Sequence, residues 1–379
     1  MSTRDTLLAR LRDNFDWVLF VTASVLAMVG VINLYSATSV AKAPLNEVYL
    51  QQIYWLVGGG ILSGFVAAVD YRHYERYGYI AYGVGLVTLV LVFILGREVN
   101  GSSRWIYLGP IGFQPSEFMK LFLVLALAKY VNADARSEGR TLKDLAAPAF
   151  IAALPAALVV LQPDLGTALI LGLIFISILA MLRIQRRTLG HLAVLVAIAV
   201  PAFMSFGMLG FQQKRIEAWL NPDRDIGGMN WDPHHSRIAI GAGKTWGAGF
   251  MQGTQNQFHF LHEQHSDFPF PVFAEDWGFA GALSLLFIYV LLVLWSIHIA
   301  ASAKDRFGAA LAIGAGSLIF WHAIFNLGMV TGLLPIVGVT LPLFSYGGSS
   351  GLTVMLAIAL LMNVSMRRSS LSTIAFSSR

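Results

Sequence analysis

Residues 17–35 read WVLFVTASVLAMVGVINLY, a run of about 19 residues without an acidic or basic side chain. The run follows the basic residues Arg4, Arg10 and Arg12, and Ala41-Lys42-Ala43 beyond it resembles a signal-peptidase site. A signal sequence has an apolar region of only about 7 to 15 residues, so this run is too long to be one. We therefore expect it to remain in the protein as a first membrane-spanning helix.

The composition extends that expectation to the whole chain. Of the 379 residues, 56% are hydrophobic and only 12% are charged, and apolar runs recur from Trp17 to Met366. A water-soluble core does not absorb so much apolar surface, so we expect a single transmembrane domain over residues 1–379. Cysteine is absent, which excludes a thiol nucleophile, a cysteine-ligated zinc site and a disulfide framework.

The apolar runs are long enough to cross a bilayer about ten times. A hydrocarbon core of about 30 Å requires about 20 apolar residues per helix. The expected fold is therefore an all-α polytopic membrane protein of about ten transmembrane helices. The predicted spans are residues 17–36, 50–69, 77–96, 114–132, 145–161, 165–182, 188–208, 271–299, 307–331 and 346–366.

The distribution of basic residues predicts the orientation of these spans. With the N-terminus in the cytoplasm, most of the 26 Lys and Arg residues fall in cytoplasmic segments, and the short loops on the other side hold only Lys42, Arg97 and Arg104. Cytoplasmic loops carry such an excess in membrane proteins. Ten spans then put both termini in the cytoplasm. The net charge of +5 follows from this asymmetry, and we expect no nucleic-acid partner.

One predicted extracytoplasmic loop, residues 209–270 between the seventh and eighth spans, is far longer than a connection requires. Long loops in compact domains are usually functional. This loop contains a basic amphipathic stretch at 213–220, a glycine-rich passage at 241–247 and the sequence HEQHSD at 262–267. The glycine-rich passage does not indicate nucleotide binding, because a nucleotide-binding loop follows a strand and meets a cytosolic nucleotide.

Two charged residues lie at the start of the fourth span. Glu117 follows Pro115 in the first turn, where the helix dipole favours an acid. Lys120 is three residues further along, on the same helix face and inside the apolar run. An ionisable group in a membrane pairs or lines a cavity, so the two are either a purely structural pair or part of a functional site. We favour the functional interpretation.

Other polar residues are predicted at the same extracytoplasmic end. Asp164 begins the sixth span, Arg104 precedes the fourth, and Ser345 lies at the glycine- and serine-rich start of the tenth. Each has an ordinary structural interpretation on its own: Asp164 as an acid at a helix start, Arg104 as an interfacial anchor and Ser345 as a turn residue. A single outward-facing polar site explains why so many residues coincide at this end, namely Arg104, Gln114, Glu117, Lys120, Asp164, Asp267 and Ser345.

Five stretches follow one another along the chain in a characteristic order: 113–117 with Lys120, 162–167, 253–255, 265–268 through 274–275, and 332–335 through 345–349. Together they make the chain similar to the SEDS family of bacterial cell-wall proteins (shape, elongation, division and sporulation) over essentially its whole length. Gly253-Thr254-Gln255 and the stretch 333–338 resemble the elongation branch more than the division branch.

The resemblance implies a glycosyltransferase of the bacterial cytoplasmic (inner) membrane. It would polymerise lipid II, the lipid-linked disaccharide-peptide precursor, into glycan strands during cell elongation. The implied partners are a class B penicillin-binding protein, which is the crosslinking transpeptidase, and other proteins of the elongation complex. Asp267 matches the family's essential aspartate, and Glu117, Lys120 and Asp164 match its conserved polar core. The chain departs from the usual family pattern at His262, Ser266, Pro269, Pro271 and Asp276-Trp277.

The residues fit that chemistry. Glycan polymerisation requires a base for the sugar hydroxyl of the acceptor, and Asp267 is the candidate. It also requires positive charge or a metal beside the departing polyprenyl diphosphate. The candidate contacts to the diphosphate are Arg104, Lys120, Arg215 and Lys244.

Histidines in the long loop raise the question of a metal. His259, His262 and His265 recur at every third residue, but in an irregular loop this spacing decides little. His265 is also a candidate substrate contact. The sequence is compatible with a reaction in which a divalent cation such as Mg²⁺ or Mn²⁺ helps the diphosphate leave, and equally with a metal-free reaction.

Without the family resemblance, the residues are also compatible with two other classes of function. A flippase that moves the lipid-linked precursor across the bilayer also needs embedded charge, although alternating access usually places its site near the midplane between repeats. A non-catalytic membrane scaffold of the cell-wall machinery would not require Asp267.

Overall fold

The protein is described here by a computed structural model that covers residues 14–39, 45–99, 102–109, 111–134, 136, 138–258 and 260–368. Ten of its helices coincide with the predicted spans. They are α1 (Trp17–Thr38), α2 (Val48–Ala68), α3 (Tyr71–Leu95), α4 (Pro115–Ala133), α5 (Ala146–Leu161), α6 (Leu165–Leu179), α7 (Arg186–Ala202), α11 (Pro269–Ala301), α12 (Arg306–Val330) and α13 (Gly348–Met366).

The expected helical membrane fold is confirmed. Seven of the described helices are both long and apolar enough to cross a bilayer, and α5 and α6 are apolar but shorter. Helix α4 is less apolar because it carries Glu117, Lys120 and Lys129. Helices α3 and α7 expose many large apolar side chains, which a bilayer would cover. The number of membrane crossings stays a prediction.

Helices α4, α12 and α13 form the centre of the bundle. Helix α4 packs against α3, α6 and α12, while α12 also packs against α11 and α13. Leu123, Val124, Leu311 and Ala315 have no exposed surface in this core. Helix α7 lies at the periphery, and among its described side chains only Thr188 is buried.

Two structured regions lie at one end of the bundle, which we call the loop end. A three-stranded antiparallel sheet joins α3 to α4, with strands β1 (Arg97–Val99), β2 (Ser102–Leu108) and β3 (Ile111–Phe113) in that order. This sheet was not predicted from the sequence. The predicted long loop is not irregular throughout, because it contains the helices α8 (Gly210–Leu220), α9 (Trp231–Ala242) and α10 (Thr254–Gln257).

Helix α11 is kinked where this long loop packs against it. Gly278 has a φ of 67°, and a Cβ atom there would lie 2.3 Å from the backbone nitrogen of Gly247. Only glycine combines that backbone conformation with so close an approach. The kink therefore fixes the loop against the first turns of α11, next to Asp267.

Candidate active site

The segment that joins α12 to α13, residues 331–347, crosses the loop end and contacts several of the predicted site residues; we call it the connector. Its carbonyl oxygens accept hydrogen bonds from Arg215 at Ile336 (3.4 Å) and from Asn326 at Val339 (2.7 Å). These contacts join α8 and α12 through one segment of backbone. The site is therefore assembled by packing between residues far apart in sequence.

Asp267 lies in the last turn before α11. Its backbone nitrogen donates to the carbonyl oxygen of Glu263 (3.1 Å), and its own carbonyl oxygen accepts from Asn326 (2.9 Å). The side chain is half-buried, and its Oδ2 lies 3.5 Å from the place that a Cβ atom would occupy at Gly338. Its backbone is thus fixed on both sides, while no donor among the described residues hydrogen-bonds to its carboxylate.

The surroundings of Asp267 change its acidity. Burial and, to a smaller extent, the negative charge of Glu263 raise the pKa of Asp267, Arg215 and Arg104 act in the opposite direction, and the net result is a pKa of about 6. A general base is most effective when its pKa lies near the working pH. The carboxylate of Asp267 therefore has both the accessibility and the proton affinity that a base requires.

Asp164 is surrounded by donors. Its carboxylate caps α6 by accepting from the backbone nitrogen (3.1 Å) and the hydroxyl (3.0 Å) of Thr167. Gln114 Nε2 donates to Oδ2 at 3.3 Å, and Arg104 forms an ion pair with the same oxygen at 3.4 Å. The structure thus brings Arg104, Gln114 and Asp164 together, as predicted from their position at one end of the bundle.

Glu117 and Lys120 form a buried ion pair. Lys120 Nζ donates to Glu117 Oε1 (2.7 Å) and also to Nε2 of His322 on α12 (2.8 Å). Because Nε2 of His322 accepts, its Nδ1 carries the proton and faces the carbonyl oxygen of Thr340 at 3.3 Å. The pair therefore reaches the connector through His322, and Lys120 has only 1% of its surface exposed.

His322 and Asn326 are site residues that the sequence analysis missed. Both lie inside an apolar span, and a polar residue in such a span is itself a signal of a pairing or functional role. Asn326 shows that signal plainly, since it is fully buried and donates to both Asp267 and the connector.

Ser345 belongs to the connector, and His265 contacts the connector through its backbone. The hydroxyl of Ser345 accepts from the backbone nitrogen of Leu341 (2.8 Å), which closes a turn. The carbonyl oxygen of His265 accepts from the backbone nitrogen of Tyr346 (2.9 Å). Burial lowers the pKa of His265, so its ring is neutral near pH 7. The roles of Ser345 and His265 toward a substrate stay predictions.

Lys244 is placed apart from this group. Its side chain is exposed, and its carbonyl oxygen accepts from the backbone nitrogen of Phe279 at the α11 kink (2.8 Å). Within the described part of the chain, no hydrogen bond or ion pair joins Lys244 to the other predicted site residues. Arg215, by contrast, is half-buried and interacts electrostatically with Asp267, Asp164 and Arg104.

The histidines of the long loop do not converge. His262 Nδ1 lies 3.1 Å from Asp232, and His265 Nε2 lies 4.0 Å from Glu263; His259 falls outside the described residues. Over the described ranges, no three His, Cys, Asp or Glu side chains are grouped closely enough to hold a metal ion.

The fold and this site define a class of protein, an integral membrane protein with a polar, ionisable site at one end of its bundle. The model of a family described as cell cycle proteins, FtsW/RodA/SpoVE, matches residues 16–370. The chain belongs to this family, which is the SEDS family.

Relatives and solved structures agree with that assignment. The peptidoglycan glycosyltransferase MrdB of Escherichia coli K12 is 35% identical over 340 residues, covering 89% of this chain and 91% of that protein. A chain of a peptidoglycan synthase complex, whose structure concerns the coordination of polymerization and crosslinking, has a TM-score of 0.80 at 29% identity and covers 94% of this chain; the match includes 99% of that chain. The rod shape determining protein RodA of Thermus thermophilus has a TM-score of 0.70 at 28% identity, with 94% of this chain and 98% of that protein covered.

Proposed function

We propose that this chain is a peptidoglycan glycosyltransferase that polymerises lipid II into glycan strands during cell elongation. The observation that carries the proposal is the carboxylate of Asp267, which is accessible, has a raised pKa and lies beside two arginines in a member of this family. The E. coli relative is a peptidoglycan glycosyltransferase, which supports the same reaction here.

In the proposed reaction, a sugar hydroxyl of the acceptor attacks the anomeric carbon of the donor. The bond between that carbon and the diphosphate oxygen breaks, and polyprenyl diphosphate leaves with the electron pair. The hydroxyl proton passes to the carboxylate of Asp267. Arg215 and Arg104 supply positive charge on the side where the diphosphate charge grows.

The remaining predicted residues support this reaction at a distance. Asp164 and Gln114 hold Arg104, while Glu117 and Lys120 support the connector through His322. In our proposal these residues position the reacting groups, because their own polar atoms are already engaged. Lys244 has an exposed side chain and, in our proposal, is a further candidate contact to the diphosphate.

A divalent ion fits the proposed chemistry without a dedicated cage. Mg²⁺ is commonly bound by one or two carboxylates together with substrate phosphates, and Asp267 offers one such carboxylate. When bound, Mg²⁺ or Mn²⁺ would neutralise charge on the leaving diphosphate. Polymerisation should then stop on chelation and return when either ion is added.

We also propose that the loop end faces the extracytoplasmic side, with both termini in the cytoplasm. The excess of Lys and Arg at the opposite end supports this orientation. Arg224 on the long loop and Lys304 between α11 and α12 are both exposed and suit a labelling test. A membrane-impermeant thiol reagent should label Arg224→Cys and spare Lys304→Cys in cells with an opened outer barrier; the reverse pattern would contradict the proposal.

A class B penicillin-binding protein is the proposed partner. The support is the structural match to a chain of a peptidoglycan synthase complex that coordinates polymerization with crosslinking. Co-purification of the two proteins from membranes, and stimulation of polymerisation by the partner, would test this pairing and the wider set of elongation proteins.

The decisive experiment uses purified protein in lipid nanodiscs, with and without its partner, and fluorescent lipid II. We expect glycan polymer on a gel from the wild type and none from Asp267→Asn. A flippase would instead move fluorescent lipid II across vesicle membranes without forming polymer, and a scaffold would do neither. Absence of polymer from the wild type with partner, under varied divalent ions, would contradict the proposed function.

A further inference from the structure

A cavity of about 70 Å³ lies beside the proposed active site, between α8, α9 and the beginning of the connector. Arg215 lines it from α8 and Arg237 from α9, and Ile336 and Gly332 line it from the connector. Among the described residues that line it, these two arginines are the only acidic or basic ones. The cavity is therefore positively charged.

Neither arginine is neutralised by a carboxylate in contact with it. Arg237 is exposed and forms no hydrogen bond or ion pair with any residue that the structure describes. The hydrogen bond of Arg215 is to the carbonyl oxygen of Ile336, a long contact of 3.4 Å. Burial and the nearby charge of Arg104 lower the pKa of Arg215, as expected for a cation without a paired counter-ion.

The walls hold the two arginines in place. Trp219 on α8 donates from Nε1 to the carbonyl oxygen of Gly332 (3.2 Å), which ties α8 to the connector. Gly332 has a φ of 81°, and a Cβ atom there would lie 3.5 Å from Cδ of Arg237. The stem of Arg237 therefore passes beside a residue without a side chain, and both guanidinium groups belong to one cavity.

The size and position of the cavity limit what it holds. One water requires about 10–15 Å³ of such volume, so 70 Å³ accommodates a group of several heavy atoms, such as a phosphate or carboxylate, but not a disaccharide. Arg215 and Ile336 connect the cavity to the Asp267 side, because Gly338 beside Asp267 is two residues beyond Ile336. A group held here would thus belong to a molecule that also reaches Asp267.

We infer that this cavity is an oxyanion subsite in which Arg215 and Arg237 hold an anionic group of the lipid-linked substrate during polymerisation. The inference rests on the proposed function and deepens it. Guanidinium groups bind phosphate and carboxylate oxygens in a bidentate manner, and two of them line one partly open cavity here. The substrate has both kinds of group, the diphosphate and the carboxylates of its peptide.

The test compares Arg237→Gln and Arg237→Lys with wild type in the polymerisation assay. We expect Arg237→Gln to raise KM for fluorescent lipid II about tenfold with kcat changed less than about twofold, because a ground-state contact is lost. Arg237→Lys keeps the charge and should recover part of the affinity. The matched control is Arg224→Gln, on the same loop but outside the cavity, which should leave KM unchanged.

Competitors identify the source of the anionic group. Inhibition of the wild type by inorganic diphosphate, weakened in Arg237→Gln, would assign the subsite to the diphosphate. The same pattern with N-acetylmuramoyl pentapeptide, which lacks phosphate, would assign it to the peptide carboxylates.

The inference and the proposed function fail in different ways. No polymer from the wild type contradicts the function itself. Normal polymer formation with equal KM in Arg237→Gln, or an equal rise in KM in Arg224→Gln, overturns the subsite while the function stands. A loss of kcat at constant KM also overturns it, because a substrate-binding subsite acts on KM.

Discussion

Asp164 and Asp267 are two acidic residues beside the same two arginines, and the structure surrounds them in opposite ways. The carboxylate of Asp164 accepts from Thr167, Gln114 and Arg104 at the start of α6. The carboxylate of Asp267 accepts from no donor in the described part of the chain, although its backbone is held on both sides. Both acids lie at the loop end, so position alone does not distinguish a structural acid from a reactive one. The number of hydrogen-bond donors around each carboxylate does distinguish them.

The largest effect should separate these two acids. Asp267→Asn keeps the shape of the side chain but cannot take a proton, so polymerisation should fall by about 10²–10⁴-fold while thermal stability stays near wild type. Asp164→Asn should do the reverse, with a lower melting temperature and a smaller loss of activity, since the amide still caps α6 but no longer attracts Arg104.

Parallel measurements of polymer formation and thermal unfolding in detergent would test this contrast. Near wild-type polymer from folded Asp267→Asn would remove Asp267 as the base. Equal losses of activity in both variants, without a change in stability, would erase the distinction between the two acids.

The next largest effect concerns the Glu117–Lys120 pair, which resembles Asp164 in being engaged by an ion pair. Either single change to Ala leaves a buried charge without its partner, which costs about 3–5 kcal/mol. The double change should cost clearly less than the sum, because the 2.7 Å contact is then removed from both sides. Unfolding in a detergent series would give the double-mutant cycle, and additive losses would show that the two residues do not interact.

The membrane fold was the part best predicted from the sequence. Each apolar run gave a helix because the bilayer sets both its length and its composition. The strands β1–β3 were missed because the stretch from Arg97 to Phe113 is short and rich in glycine and serine, without a clear alternation of apolar and polar residues. The helices α8 and α9 were missed for a related reason, since their weakly apolar sequences depend on packing against α11 and the connector.

The site was predicted in part. Charge and topology brought Arg104, Gln114 and Asp164 to one end, and the structure places them in contact. Lys244 was named from its charge as a candidate contact to the diphosphate; the structure shows its carbonyl oxygen bonded to the backbone nitrogen of Phe279 at the α11 kink, and the contact to the diphosphate stays a prediction. Arg237 was not singled out, because its importance depends on a cavity that only the folded chain shows. Contacts across the connector are non-local, and a single sequence does not encode them in any local pattern.

A third prediction tests whether the connector sets the environment of Asp267. A Cβ atom at Gly166 would lie 2.4 Å from the carbonyl oxygen of Val337, so Gly166→Ala must displace the backbone beside Gly338. We expect a loss of about 1–3 kcal/mol in stability and up to about 100-fold in polymerisation. Gly172→Ala, on the same helix with nothing within 4 Å of its added Cβ atom, is the control and should be neutral. Similar results for both variants would show that the connector does not control the site.

The smallest effect is a shift in the pH dependence that the raised pKa of Asp267 implies. The base must be deprotonated, so activity is full only well above pH 6 and is lost as the pH falls through about 6. Glu263 raises the pKa of Asp267, so Glu263→Gln should move this acid limb to lower pH. Because Glu263 is half exposed and its charge is screened by salt, we expect a shift of a few tenths of a pH unit that shrinks at high ionic strength.

Only the side chain changes in Glu263→Gln, so the hydrogen bond from the backbone nitrogen of Asp267 to the carbonyl oxygen of residue 263 is kept. Glu217→Gln, an equal change of charge on α8 at a residue paired with Arg224, should leave the limb in place. Rates of polymerisation from pH 5 to 8 would measure the limb in all three proteins. A limb that moves to higher pH in Glu263→Gln, or that moves equally in Glu217→Gln, would show that the ionisation of Asp267 does not control the reaction.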